Sequence, residues 1–109
     1  MAQTDHNPGV ANGDLVAAAD MPAALTAATL VFEDGATQVF SSDGRTIYDD
    51  HARRTEGTWS VLEDGKFSSF WPPSYRATYT LSWIVEDAAT VGLTFTETGR
   101  GERFVGRYR

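Results

Sequence analysis

The stretch Tyr75-Arg76-Ala77-Thr78-Tyr79-Thr80-Leu81-Ser82-Trp83-Ile84-Val85 decides the fold class. Tyr75, Ala77, Tyr79, Leu81, Trp83 and Val85 occupy every second position, with Arg76, Thr78, Thr80 and Ser82 between them. A side-chain period of two puts the first set on one face of an extended chain and the second on the other. The segment therefore predicts a long strand with one buried and one wet face. Upstream, Asp34-Gly35, Asp43-Gly44 and Asp64-Gly65 punctuate shorter alternating runs. Glycine accepts positive φ, so each pair predicts a hairpin with a two-residue connection.

Working outward from these anchors, the pattern predicts eight strands: Ala28 to Phe32, Thr37 to Ser41, Arg45 to Tyr48, Gly57 to Leu62, Lys66 to Phe70, Tyr75 to Val85, Thr90 to Glu97 and Arg103 to Arg109. Asp49 to Glu56 reads as a polar loop, and Pro72-Pro73 as a break, since proline cannot donate to a ladder. Turns at Glu86-Asp87 and Gly99-Arg100-Gly101 complete the meander. A flat sheet of consecutive antiparallel strands would leave two open edges, and closure removes both. The expected fold is all-β: a single antiparallel up-and-down barrel of about eight strands with a short N-terminal helix.

The 109 residues leave room for one domain, residues 21–109, after a tail of residues 1–20 expected to be flexible. In Leu15 to Ala28, Asp20 is placed to cap a helix whose first turn holds Pro22, and that helix would cover one end of the barrel. The opening residues lack the charged and apolar regions of a signal peptide, and no window approaches the roughly 18 apolar residues of a membrane span. A net charge of −6 opposes nucleic-acid binding and an anionic membrane surface. The absence of cysteine removes disulfides, thiolate nucleophiles and cysteine-based zinc sites, and fits a reducing compartment. The expectation is a cytoplasmic monomer or homodimer with no nucleic-acid or membrane partner.

The inward face is expected to carry Phe32, Phe40, Ile47, Trp59, Val61, Phe67, Tyr79, Leu81, Trp83, Val91, Leu93, Phe95, Phe104 and Tyr108, interleaved with small Ser69, Ala77 and Gly106. Such a mixture either fills a tapering core or leaves a pocket for one small ligand. The run Phe70-Trp71-Pro72-Pro73-Ser74-Tyr75-Arg76 offers a stiff aromatic platform at a barrel mouth, or else a corner that plugs it.

Gly57-Thr58-Trp59 resembles the Gly-x-Trp signature of the calycins, the lipocalin, fatty-acid-binding and avidin group of ligand-holding barrels. That resemblance implies an arginine near the end of the barrel packed over the tryptophan, a part open to Arg107 or Arg109. The motif opens the first strand in calycins, whereas here about half the chain precedes it. The stretch LVFEDGATQVFSSDGRTIYDD is similar to the first hairpins of small bacterial lipocalin-like domains of the MoaF type, a likeness that covers Thr26 to Arg109. It implies a barrel around a small ligand without naming one.

The expected function is binding of a partly apolar or aromatic molecule by Trp59, Trp71, Tyr75, Tyr79, Trp83 and Tyr108, with Arg76 fixing any anionic group. No cofactor and no metal are expected, because His51 with neighbouring Asp49 and Asp50 is too sparse for a zinc site. An alternative is a small isomerase or hydrolase using His51, Asp49 or Asp50 at the rim for proton transfer. Another is a protein-interaction module whose edge strands or Trp71-Pro72-Pro73 corner dock another protein.

Overall fold

The computed structural model describes residues 9–109. The chain forms a closed antiparallel up-and-down barrel of eight strands, each paired with its sequence neighbours and β1 with β8. The strands are β1 (Leu30–Phe32), β2 (Thr37–Phe40), β3 (Arg45–Asp49), β4 (Arg54–Val61), β5 (Phe67–Trp71), β6 (Tyr75–Glu86), β7 (Ala89–Glu97) and β8 (Arg103–Tyr108). A short helix, α1 (Met21–Thr26), precedes β1. Among the described residues no helix is long and apolar enough to cross a membrane.

The Asp-Gly hairpins have longer connections than the sequence suggested. Gly35, Gly44 and Gly65 have φ near +90° (89°, 92° and 88°) and donate to the carbonyls of Phe32, Ser41 and Leu62, whose own amides donate to Ala36, Arg45 and Lys66. Three residues thus lie in each loop, with glycine last in the left-handed conformation. The Asp34, Asp43 and Asp64 carboxylates each accept the amide two residues on, which fixes the turn. The extra residue shifts register by one. Phe40 therefore faces Thr46, and Ile47, expected inside, pairs with Val39 on the outer face. Thr46 and Tyr48 take the inward positions of β3.

Two further corrections come from pairing. Arg54, Thr55 and Glu56, read as loop, are strand: they pair with Asp49, Tyr48 and Ile47. The true loop is the turn in which Asp50 donates its amide to the Arg53 carbonyl and accepts the Ala52 and Arg53 amides on its carboxylate. In β7, Val91 is skipped where pairing jumps from Ile84 with Gly92 to Val85 with Thr90, so this bulge takes Val91 out of the expected inward alternation.

β5 covers β6 only from Tyr75 to Tyr79. The rest of that edge is met by Asn12–Val16: Gly13 and Val16 donate to Trp83 and Leu81, Trp83 donates to Asp14, and Val85 donates to the Asn12 side chain. Of the segment assigned to the tail, residues 1–8 lie outside the described residues, while 12–16 supply β6 with the partner that β5 is too short to give. The chain then makes one 3-10 turn, Ala18–Asp20, and enters α1 with Asp20 at the N-cap position and Pro22 in the first turn. Asp20 makes no side-chain capping bond. Burial of Met21, Ala24 and Leu25 against Leu30, Leu81 and Leu93 holds the helix across the barrel end instead.

Alternating strand direction puts α1 and the β2–β3, β4–β5 and β6–β7 turns at this closed end. The β6–β7 turn is a two-residue connection, Asp87-Ala88, with φ of 52° and 64°. Alanine pays a steric penalty there that glycine escapes. Ala88→Gly is expected to stabilise the protein by about 1 kcal/mol, read as a higher denaturant midpoint at unchanged slope.

The helix is tied to the last strand by the Tyr108 hydroxyl, which donates to the Ala24 carbonyl at 2.7 Å. Burial pushes this phenol up to about 12 from its ordinary 10. The folded state therefore keeps a proton that the unfolded chain releases between these values. The stability it carries is full below pH 10 and is lost as pH rises through about 12. Urea unfolding across this window should show a shallower alkaline loss for Tyr108→Phe than for the parent, at a cost near neutral pH of about 1 kcal/mol for the lost bond. Tyr48 and Tyr79, also raised first by burial, keep a residual slope in both proteins.

Candidate functional site

The barrel interior is divided across its length. Toward the closed end, Phe40, Phe67 and Phe95 pack ring to ring, with centroids 5.6–6.3 Å apart. Trp59 closes this cluster edge-on to Phe40 at 6.0 Å. Its indole N–H donates to the Ser41 carbonyl in the β2–β3 turn, which pins β4 to the closed end. Above this floor the barrel is open, with a cavity of about 400 Å³ at the other end.

The cavity walls are mostly aromatic. Phe67 and Phe95 form its base, Phe32, Tyr48 and Trp71 one side, and Tyr79, Phe104 and Val105 the other. Tyr48 lies 6.3 Å from Phe32 and 6.4 Å from Trp71, ring centroid to centroid. Two positions without side chains make room for these rings. A Cβ on Gly57 would fall 2.6 Å from both the Trp71 ring and the Phe70 carbonyl, and one on Gly106 would fall 3.1 Å from the Phe32 ring.

Polar groups are few and placed at two depths. Deep in the cavity, Gln38 is only 8% exposed, and its Nε2 donates to Thr46 Oγ1 at 3.0 Å. Thr46 in turn gives its hydroxyl proton to the Val39 carbonyl, so the Gln38 amide must be the donor. This orientation leaves the Gln38 carbonyl oxygen with no protein partner among the described residues. Ser69 is buried in the wall, and the Tyr79 phenol in the same wall is pushed above its ordinary range, first by burial. At the mouth stand Glu33, Asp34 and Arg103.

Of the residues singled out from the sequence, Trp71 and Tyr79 line this cavity. Trp59 lies in the floor cluster beneath it. Trp83 and Tyr108 line a separate hollow between α1 and the barrel, together with Ala23, Ala24 and Ala27. Tyr75 is 53% exposed at the open end, where the β5–β6 corner stands. Arg76 points outward, with its guanidinium 4.9 Å from the centre of the Phe70 ring. Neither Arg107 nor Arg109 caps Trp59: Arg107 bonds to Glu86 at 2.6 Å, and among the described residues the one cation seated on a ring is Arg76. The closed barrel is compatible with a calycin-like fold; the arginine contact that the resemblance implied is not formed.

His51 adopts φ of 77° in the β3–β4 loop at the open end, with its ring against the β1–β2 turn, where a Cβ on Gly35 would lie 3.1 Å from Nε2. It does not line the cavity. The Asp49 and Asp50 carboxylates accept loop amides. No group of three or more His, Cys, Asp or Glu that would hold a metal is found among the described residues.

Reasoning from sequence missed Gln38, Tyr48 and Arg103. Gln38 shares the inward parity of Phe40 two residues on, which is the signal that could have found it. Tyr48 was lost with the register of the β2–β3 turn. The chain matches no protein-family profile, and no curated protein or solved structure matches it either.

Because Gly57 meets both backbone and indole, Gly57→Ala should destabilise the fold by about 1–3 kcal/mol through overpacking. It should also shift Trp71 emission, measured against a Trp71→Phe background that removes that signal.

Proposed function

We propose that this protein binds a small, partly apolar or aromatic molecule in the open half of its barrel. The observation that carries this reading is the aromatic-walled cavity of about 400 Å³ with a buried amide carbonyl that has no protein partner among the described residues. Small-molecule sites typically enclose about 300–1,000 Å³, mostly apolar with a few convergent polar groups. A barrel of this size filled for stability alone would have no reason to bury the Gln38 amide there, because a buried carbonyl without a bond costs about 1–3 kcal/mol. A ligand hydroxyl or N–H would recover that bond, while its flat body replaces water against the rings. Binding is the reading in which each of these features has a use.

The test pairs intrinsic tryptophan fluorescence with thermal shift during titration by a library of aromatic and aliphatic small molecules. Hits are expected to raise the melting temperature of the parent protein. Ser69→Leu, which extends a buried wall residue into the empty space, should abolish those shifts while the barrel still unfolds cooperatively. No response from any library member, together with a Ser69→Leu penalty above about 3 kcal/mol, would mean a filled interior and would overturn the proposal.

A further inference from the structure

We infer that the ligand of this cavity is an organic cation, a protonated or quaternary amine carried on an aromatic body. The inference deepens the proposed binding function and rests on it. Its first ground is the character of the walls. Seven aromatic rings surround the space, and an arc of Phe32, Tyr48 and Trp71 stands on the side of the mouth nearest the β1–β2 turn. Aromatic faces carry the negative end of the ring quadrupole, so such an enclosure attracts a cation, gives little to a neutral group and disfavours an anion.

The second ground is the charge at the rim. Glu33 and Asp34 line the mouth on the same side as that arc, and neither is engaged in an ion pair among the described residues. Asp34 is held in place because one of its oxygens accepts the Ala36 amide, which leaves the other free to face a ligand. Arg103 is the one cation among the described residues that line the cavity, and it stands at the start of β8, the strand paired with β1. The charge felt inside agrees in sign. After burial, the influences that raise the Tyr48 phenol are Asp34 and Asp50, and Glu97 and Glu102 are among those that raise Tyr79. No basic residue is among the influences on either phenol.

The third ground is at depth. The Gln38 carbonyl is an acceptor with its amide direction fixed by Thr46, so the far end of the ligand meets a group that takes a hydrogen bond. Aromatic enclosure, acidic rim and buried acceptor all favour a molecule that is electron-poor and rich in donors. They place its charge between Glu33, Asp34 and the Tyr48 ring, with its body over Phe67 and Phe95.

Three probes of one shape and different charge test this: 1-naphthylmethylamine, 1-naphthalenemethanol and 1-naphthoic acid, each titrated calorimetrically into the full chain at neutral pH. The amine is expected to bind about tenfold more tightly than the alcohol, within the roughly two- to thirtyfold range of a cation among aromatic rings, and the acid most weakly. The preference should shrink as salt is raised and in the Glu33→Gln/Asp34→Asn double variant, in which the side-chain amide oxygen introduced at position 34 can still accept the turn amide. Equal binding of amine and alcohol would overturn the charge assignment and leave the small-molecule reading standing. Tightest binding of the acid would overturn it in favour of an anion held by Arg103. Binding of none of the three would count against both the cation and the cavity as a ligand site.

Discussion

The ring of Phe67 is the pivot of this molecule. Its centroid lies 5.7 Å from Phe40, 5.6 Å from Phe95, 5.7 Å from Tyr79 and 6.4 Å from Trp59, so one side chain on the short strand β5 is in contact with rings from β2, β4, β6 and β7. Edge-on and tilted pairs at these separations add about 0.5–1.5 kcal/mol each beyond the burial of their area. The consequence is positional as well as energetic. An eight-stranded barrel is just wide enough to be filled by side chains or to hold one small ligand. Phe67 and its neighbours form a partition that lets this barrel do both in series, packed below and open above.

The packed half needs more than the barrel strands provide. β6 outruns β5 by enough to expose a bare edge, and Asn12–Val16 supplies the missing backbone partners before the chain turns into α1. Met21, Ala24 and Leu25 then seal the end that the strands cannot close. Helix propensity would not hold six residues in a helix, since isolated helices this short are marginal in water. Tertiary burial does so, and the bond from Tyr108 to Ala24 ties the cap to the strand that closes the barrel.

Much of this architecture was legible in the sequence because it is written in periods and punctuators. The alternation in Tyr75 to Val85, the three Asp-Gly pairs and the need to remove sheet edges lead to an eight-stranded closed barrel, and Asp20 and Pro22 mark where the helix starts. What was not legible is one residue wide. Whether Asp-Gly closes a two- or a three-residue loop depends on backbone hydrogen bonds that no composition reveals, yet it decides whether Ile47 or Thr46 faces the core. The same applies at Val91, where a bulge overrides the alternation. Tyr79 could be placed on the inward face by parity and Trp71 at a barrel mouth by its place beside Pro72-Pro73, but Gln38 could not be told from an outward glutamine. The reason it is buried is a hydrogen bond to Thr46, a residue whose own facing had been reversed.

The Gly-x-Trp motif shows how a short pattern can hold its residues and change their work. Trp59 stands at the closed end, as a calycin tryptophan would, but its N–H is held by the Ser41 carbonyl and its ring packs with Phe40 and Phe67 rather than under an arginine. Gly57, two residues toward the open end, is bare where the Trp71 indole lies, so the motif reaches across the partition: its tryptophan belongs to the floor and its glycine to the wall of the cavity. Gly106 stands in the same relation to Phe32 on the opposite part of the barrel. Large rings facing absent side chains are what let aromatic walls stand this close to the backbone without filling the interior. The cavity is therefore built by subtraction at two glycines as much as by the rings themselves. Substituting a wall ring would alter its shape, whereas adding a methyl group at Gly57 would move the wall.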